Sequence, residues 1–306
     1  MFRRLFDAPY VLLSLVSLFW SGNIVLGRHV AGQVPPVALA WFRWTLAFAI
    51  LLPFTWRYLR QDGPVIRRNI GVLTLLSLSG ITLYNTIYYW ALQYSPALNG
   101  LLMTSTGPLL IAAWSFVLIG ERLSLGQAFG ILLSLAGVLV ILCRGDLSVL
   151  TRIDFNIGDI LFLVAMVLYA FYSALLAKRP AMSRYGFLAF SLGWGAALLT
   201  PAFIWERLEG PALHFDGLTL ASILYVAVFP SVLAYLFFNR GVELVGPNRA
   251  APFFHLMPMF GSVLAILFLG ETPHLYHAVG YALVLGGVIT ATLFGRRKAV
   301  SPTRSS

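Results

Sequence analysis

Of the 306 residues, 59% are apolar and only 10% are charged, against about 25% charged in an ordinary soluble domain, which excludes a water-soluble globule. The net charge of +10 comes from Lys and Arg scattered over short loops, which excludes a nucleic-acid-binding face. A single cysteine, Cys143, allows neither an intramolecular disulfide nor a cysteine-built metal site, and it reads as a small packing residue.

Apolar runs long enough to cross a hydrocarbon layer of ~30 Å, about 20 helical residues each, recur along the whole chain. They predict ten spans at 10–27, 36–56, 70–92, 97–119, 124–143, 157–177, 185–205, 218–239, 248–269 and 275–294. The runs are continuous, without the alternation of barrel strands, so the fold class is an all-α integral membrane protein.

The first span follows Arg3 and Arg4 as a secretory signal would, but it runs into Arg28 and His29 without a small-x-small cleavage site and reads as a retained helix. It carries Trp20 and Asn23. The second span holds Arg43 about two turns inside, where a cation needs an anion, carbonyls or a watery route to the surface. Arg43 is therefore a candidate anion contact, with snorkelling toward the outer face and structural anchoring as the other readings. In the third span Tyr84 and Tyr88 lie four apart, as do Asn85 and Tyr89, so two ridges of one face present hydroxyl, amide and aromatic groups.

The fourth span contributes Ser105 and Thr106, the sixth Tyr169 and Tyr172, the eighth Tyr235 and the ninth His255. Together with Trp20, Asn23, Tyr84, Asn85 and Tyr88 these are the candidate substrate-binding residues, because a mid-membrane polar group is costly without a partner, water or cargo. Interhelical hydrogen bonding is the competing role for each. Pro108, Pro230 and Pro258 each remove a backbone donor inside a span and predict kinks that can serve as gates.

Ser124 and Gln127 fit a capping box, and Thr272–Pro273 fits an N-cap followed by proline at the first helical position. Gly126, Gly130 and Ser134 lie four apart and form a flat face for internal packing or a homodimer, so the chain is read as a monomer or homodimer. No Asp or Glu falls near the centre of a span, which argues against a carboxylate proton relay and leaves His255, with an unperturbed pKa of ~6.5, as the candidate proton carrier. No P-loop, His-Glu-x-x-His or nucleophile–base constellation is present, and His274 with His277 is too little for a metal. No cofactor or metal is expected.

With the amino terminus inside, sixteen of the twenty-one Lys and Arg residues fall on inner loops and tails, so both termini are expected in the cytoplasm. The chain also repeats itself. At an offset of 150, Pro108 meets Pro258, Gly120–Glu121 meets Gly270–Glu271, and Gly130 and Gly137 meet Gly280 and Gly287. Two repeats, 1–148 and 149–306, each hold five spans, and an odd number makes the second enter the membrane from the opposite side. Inverted repeats are a transporter signature, since two similar halves can exchange inward-open and outward-open states about a midplane site.

The stretch FWSGN at Phe19–Asn23, AWFRWTLAFAILLP from Ala40, Pro108 with GERLS from Gly120, and the echoes Pro258 and GETP resemble the ten-helix EamA-type members of the drug/metabolite transporter superfamily. The resemblance covers roughly residues 8–295. It implies cytoplasmic termini, a cavity surrounded by spans 1, 3, 4, 6, 8 and 9, and export or exchange of small metabolites, often amino acids. The expected function is therefore a secondary transporter of the bacterial inner membrane whose partners are a small-molecule cargo and the bilayer. Efflux of hydrophobic drugs is the alternative cargo reading, and an intramembrane enzyme acting on lipid-like substrates the alternative class.

Overall fold

The computed structural model describes residues 6–152, 156–210, 216–269 and 272–294. Its membrane helices are α1 (Pro9–His29), α2 (Pro36–Gln61), α3 (Ile70–Tyr94), α4 (Ala97–Ile119), α5 (Leu125–Leu142), α6 (Ile157–Lys178), α7 (Arg184–Glu209), α8 (Gly217–Val245), α9 (247–269) and α10 (Leu275–Leu293). Among the described residues, nine of these are apolar and long enough to span a bilayer in one run. The tenth, α9, is assembled from Pro247–Ala250, the 3-10 stretch Ala251–His255 and Leu256–Leu269.

The helix ends follow local chemistry. Proline opens α1 and α2, where its missing N–H would have had no intrahelical partner. The predicted Ser124–Gln127 capping box starts α5, and Asn156 with Asp159 does the same for α6. Gly120 ends α4 at φ +68°, with its N–H on Phe116 O and that of Glu121 on Ser115 O, so the GERLS motif begins as a helix stop. The expectation for Thr272–Pro273 is corrected: α10 begins after His274, whose backbone N–H donates to His277 Nδ1 at 3.0 Å. Gly270 and Glu271 lie outside the described residues.

Irregularities recur in register. A π-helical turn occupies Leu78–Leu83 in α3 and Val228–Leu233 in α8, 150 positions later. α4 breaks at Ser105–Thr106, and the 3-10 stretch of α9 ends at His255, the counterpart of Ser105. α5 and its counterpart α10 touch through glycines: a Cβ on Gly130 would meet Gly287 O at 2.6 Å, and one on Gly137 would meet Gly280 O at 2.7 Å. As the number rises on one helix it falls on the other, so the two run antiparallel. Equivalent helices with opposite directions make the two five-helix repeats inverted, and the small face at Gly130 and Ser134 is used inside the molecule.

α2 and its counterpart α7 are antiparallel as well, with Trp41 stacked on Phe203 at 4.2 Å. The Glu206 carboxylate near the end of α7 accepts the N–H groups of Val37 and Ala38 at the start of α2, at 3.0 and 2.6 Å. Asp62, just after α2, accepts the Ser183 N–H just before α7 at 3.1 Å. Each helix thereby caps the positive end of the other. Arg249 donates to Tyr10 Oη and Thr292 O at 2.7 and 2.6 Å, which ties the start of α1 to the end of α10 on one face of the bundle. We call this the terminal face and its opposite the far face.

Candidate functional site

The centre is built on a defect in α8. Pro230 has no N–H, so the Val226 carbonyl four residues earlier lacks its helical donor, and the Ser231 hydroxyl donates to it instead. Ser231 Oγ in turn accepts from Arg43 Nε at 2.6 Å. The Pro230 carbonyl accepts from Arg43 Nη2 at 3.0 Å and from Trp20 Nε1 at 3.1 Å. Arg43 Nη1 donates to Asn85 Oδ1 (2.8 Å), Tyr89 Oη (2.7 Å) and Asn23 Oδ1 (3.2 Å), and the guanidinium lies 4.3 Å from the Trp44 ring centroid. Arg43 is 0% exposed, so the snorkelling expectation is corrected: dipoles from α1, α3 and α8 satisfy this cation in place.

The other repeat supplies the mirror contact. Tyr235 Oη donates to the carbonyl of Gly80, the counterpart of Pro230 in the π-turn of α3, and Asn85 Nδ2 donates to Tyr235 Oη at 3.1 Å. The Tyr172 ring occupies the space a Cβ on Gly80 would need. Asn85 and Tyr235 are 150 positions apart, and so are Ser105 and His255, whose Nε2 is 2.9 Å from Ser105 O. Residues that touch their own counterparts mark the axis relating the repeats. A carbonyl only accepts, so Nε2 of His255 carries a proton, while Nδ1 faces Ser134 Oγ at 2.6 Å.

Tyr169 lies at the middle of an aromatic cluster, with ring centroids of Tyr84 at 4.5 Å, Trp20 and Tyr172 at 5.4 Å, Phe238 at 5.6 Å and Phe254 at 5.7 Å. Its hydroxyl is buried without a hydrogen-bond partner. Tyr88 packs on Phe162 at 4.8 Å, with its hydroxyl 3.4 Å from Thr104 Oγ1. The two ridges of α3 thus divide: Tyr84 and Tyr88 face α6, while Asn85 and Tyr89 face Arg43. The hydroxyls of Ser105 and Thr106 turn back onto Leu101 O and Met103 O, so Ser105 meets His255 through its carbonyl.

The proline expectation is corrected at Pro108, which does not kink a continuous helix but sits in the first turn of Gly107–Ile119, just after the break at Ser105–Thr106. Pro258 is the third residue of Leu256–Leu269, directly after the 3-10 stretch that ends at His255. Pro230 lies within its span, in the π-turn of α8. The sequence reading did not single out Ser231, Asn239 or Phe254. Asn239 is the counterpart of Tyr89 and accepts from Tyr172 Oη at 2.7 Å, so the repeat offset could have found it.

On the far face a cavity of about 720 Å³ lies among Gln33, Trp90, Gln93, Trp205 and Glu206, and on the terminal face one of about 160 Å³ is bounded by Arg179, Asn239 and Glu243. Between them Arg43, Tyr169, Tyr172 and Tyr235 are wholly buried, so the centre is shut from both sides.

The EamA-like transporter family matches residues 8–143 and again 156–293. An uncharacterized transporter of Archaeoglobus fulgidus is 27% identical over 288 residues, covering 92% of this chain and 96% of its own. The aromatic amino acid exporter YddG of Ancylobacter novellus is 25% identical over 288 residues, covering 92% and 95%. A solved crystal structure with 23% identity shares the fold at a TM-score of 0.75, covering 94% of this chain and 98% of that one. With one family matched twice, once on each five-helix half, the protein belongs to the EamA-like transporter family.

Proposed function

We propose that this transporter exports small polar metabolites, amino acids foremost, across the cell membrane by alternating access. The observation that carries the reading is the enclosed polar and aromatic cluster where the repeats meet, with the Tyr169 hydroxyl left unpartnered at its middle. Opening either face would present Trp20, Asn23, Tyr84, Asn85, Tyr88, Tyr169, Tyr172 and Tyr235 to a cargo, with Ser105, Thr106 and His255 at the breaks of α4 and α9. The Ancylobacter novellus relative, named as an exporter of aromatic amino acids, supports the cargo class.

In proteoliposomes, Tyr84→Phe, Asn85→Leu and Tyr88→Phe each keep most of the bulk and remove hydrogen-bonding groups. Each is expected to lower flux about tenfold, the equivalent of one hydrogen bond lost from the transition state. Three folded variants that all transport like the wild type would refute the site.

The membrane is the cell membrane, with the terminal face in the cytoplasm, as the Lys and Arg distribution favours. Reporters fused to either end are expected to be active only in the cytoplasm, and an external terminus would reverse the orientation.

Where a proton gradient drives export, His255 carries the proton. Ser134 Oγ can donate to Nδ1, or turn toward Ile131 O at 3.0 Å and accept from a protonated ring, so both protonation states find partners. His255→Gln is expected to abolish the pH-gradient dependence of flux and to leave downhill exchange measurable. Wild-type flux indifferent to the gradient would remove this role.

A further inference from the structure

We infer that the cargo carries a carboxylate, and that Arg43 both recognises it and, until it arrives, holds the two repeats together. The inference rests on the transport reading and narrows it.

The guanidinium is divided between the repeats. Its Nη1 is held entirely by the first repeat, through Asn23, Asn85 and Tyr89. Its Nε and Nη2 reach the second repeat, at Ser231 Oγ and Pro230 O. Those two nitrogens form the edge of the fork whose parallel N–H bonds match the two oxygens of a carboxylate. The edge suited to bidentate anion recognition is therefore the one that spans the joint between the repeats.

None of the five acceptors carries a formal charge. Among the described residues Arg240 pairs with Asp7 and Glu243, whereas the hydrogen-bond partners of Arg43 are amide, hydroxyl and carbonyl oxygens. A cation buried mid-membrane and satisfied only by dipoles gains more from an anion than any neutral group offers, because charge-assisted hydrogen bonds are roughly twice as strong as neutral ones. A carboxylate arriving on the Nε–Nη2 edge would replace the Ser231 hydroxyl and the Pro230 carbonyl at once.

Neither displaced group is left stranded. Pro230 O keeps its bond from Trp20, and Ser231 keeps its own bond to Val226 O. The π-turn of α8 stays satisfied while it is untied from α2, and Arg43 stays aimed because its Nη1 remains anchored. A neutral or cationic molecule makes no comparable exchange, so the joint stays closed without an anion, which suppresses leak through an empty carrier.

The test uses proteoliposomes of the full chain loaded in parallel with four matched probes: L-phenylalanine, L-phenylalaninamide, 2-phenylethylamine and phenyl phosphate, followed by the corresponding series built on leucine and serine. Wild-type flux is expected for the carboxylate members and to be at least about tenfold lower for the amide and the amine of each series. Arg43→Gln should lower carboxylate flux about a hundredfold, and Arg43→Lys, which keeps the charge without the fork, about tenfold. Ser231→Ala weakens the lock but leaves the charge, so it should retain the carboxylate preference and raise the rate of empty-carrier return in exchange assays.

Amide or amine flux equal to that of the acids overturns the inference and leaves transport standing, as does a preference for the phosphate. Should Arg43→Gln fail to fold, the class preference of the wild type and the KM of Arg43→Lys still decide: an unchanged carboxylate KM in the lysine variant reduces Arg43 to a structural brace. Absence of flux for every probe removes the amino-acid transport reading and this inference with it.

Discussion

Gly287→Leu is expected to abolish recovery of folded, monodisperse protein. A Cβ at Gly287 would stand 2.6 Å from both Gly130 O and Ser134 Cβ, and the nearest obstacle is backbone, which cannot swing aside. Overpacking by even single methylenes costs about 1–3 kcal/mol in a tight core, and leucine adds four carbons at the closest approach of two helices. The α5–α10 contact also joins the repeats, so the helices cannot separate locally without opening the interface. Gly261→Leu provides the comparison, because nothing lies within 4 Å of a Cβ there, and that variant should elute and melt as the wild type does. Size-exclusion profiles and thermal unfolding in detergent read the difference. A Gly287→Leu protein with wild-type melting would contradict the glycine packing described above.

The helices were legible in the sequence because hydropathy and the 150-residue echo both act over long stretches. Their ends were less so. α2 continues to Gln61 and α8 to Val245, beyond the predicted 56 and 239, because Arg57, Arg60, Arg240 and Glu243 mark the edge of the apolar layer and not the end of hydrogen bonding. The π-turns were invisible, since LSGITL and VFPSVL share only their final leucine. What they share physically is a residue, Gly80 or Pro230, around which the regular ladder is easily lost.

The candidate site was partly legible for a similar reason. Arg43 declared itself by being a cation in an apolar run, but its partners come from three other helices and no local pattern names them. Asn85–Tyr235 and Ser105–His255 could have been paired in advance, because residues on the axis between inverted repeats meet their own counterparts. Ser231 could not, as its role depends on the carbonyl that Pro230 leaves open.

Asp159→Ala is expected to lower stability by about 2–5 kcal/mol, the sum of several buried hydrogen bonds lost around one group. Asp159 is 3% exposed at the far-face start of α6, and its Oδ1 accepts from Ser95 Oγ at 2.6 Å and Asn99 Nδ2 at 2.9 Å. Its Oδ2 accepts the Asn156 N–H at 2.9 Å. Ser95 follows α3 and Asn99 lies in the first turn of α4, so this carboxylate fastens together the three helices that carry Tyr84, Ser105 and Tyr169. Alanine leaves Ser95 and Asn99 buried with unmade bonds, and it removes a negative charge from a helix amino terminus. Asp159→Asn should recover part of the loss: its carbonyl oxygen can still serve Ser95 and Asn99, but its amide would face the Asn156 N–H, donor against donor. Thermal unfolding in detergent should therefore rank alanine below asparagine and asparagine below the wild type. An alanine variant that melts with the wild type would mean that α3, α4 and α6 are held by apolar packing alone.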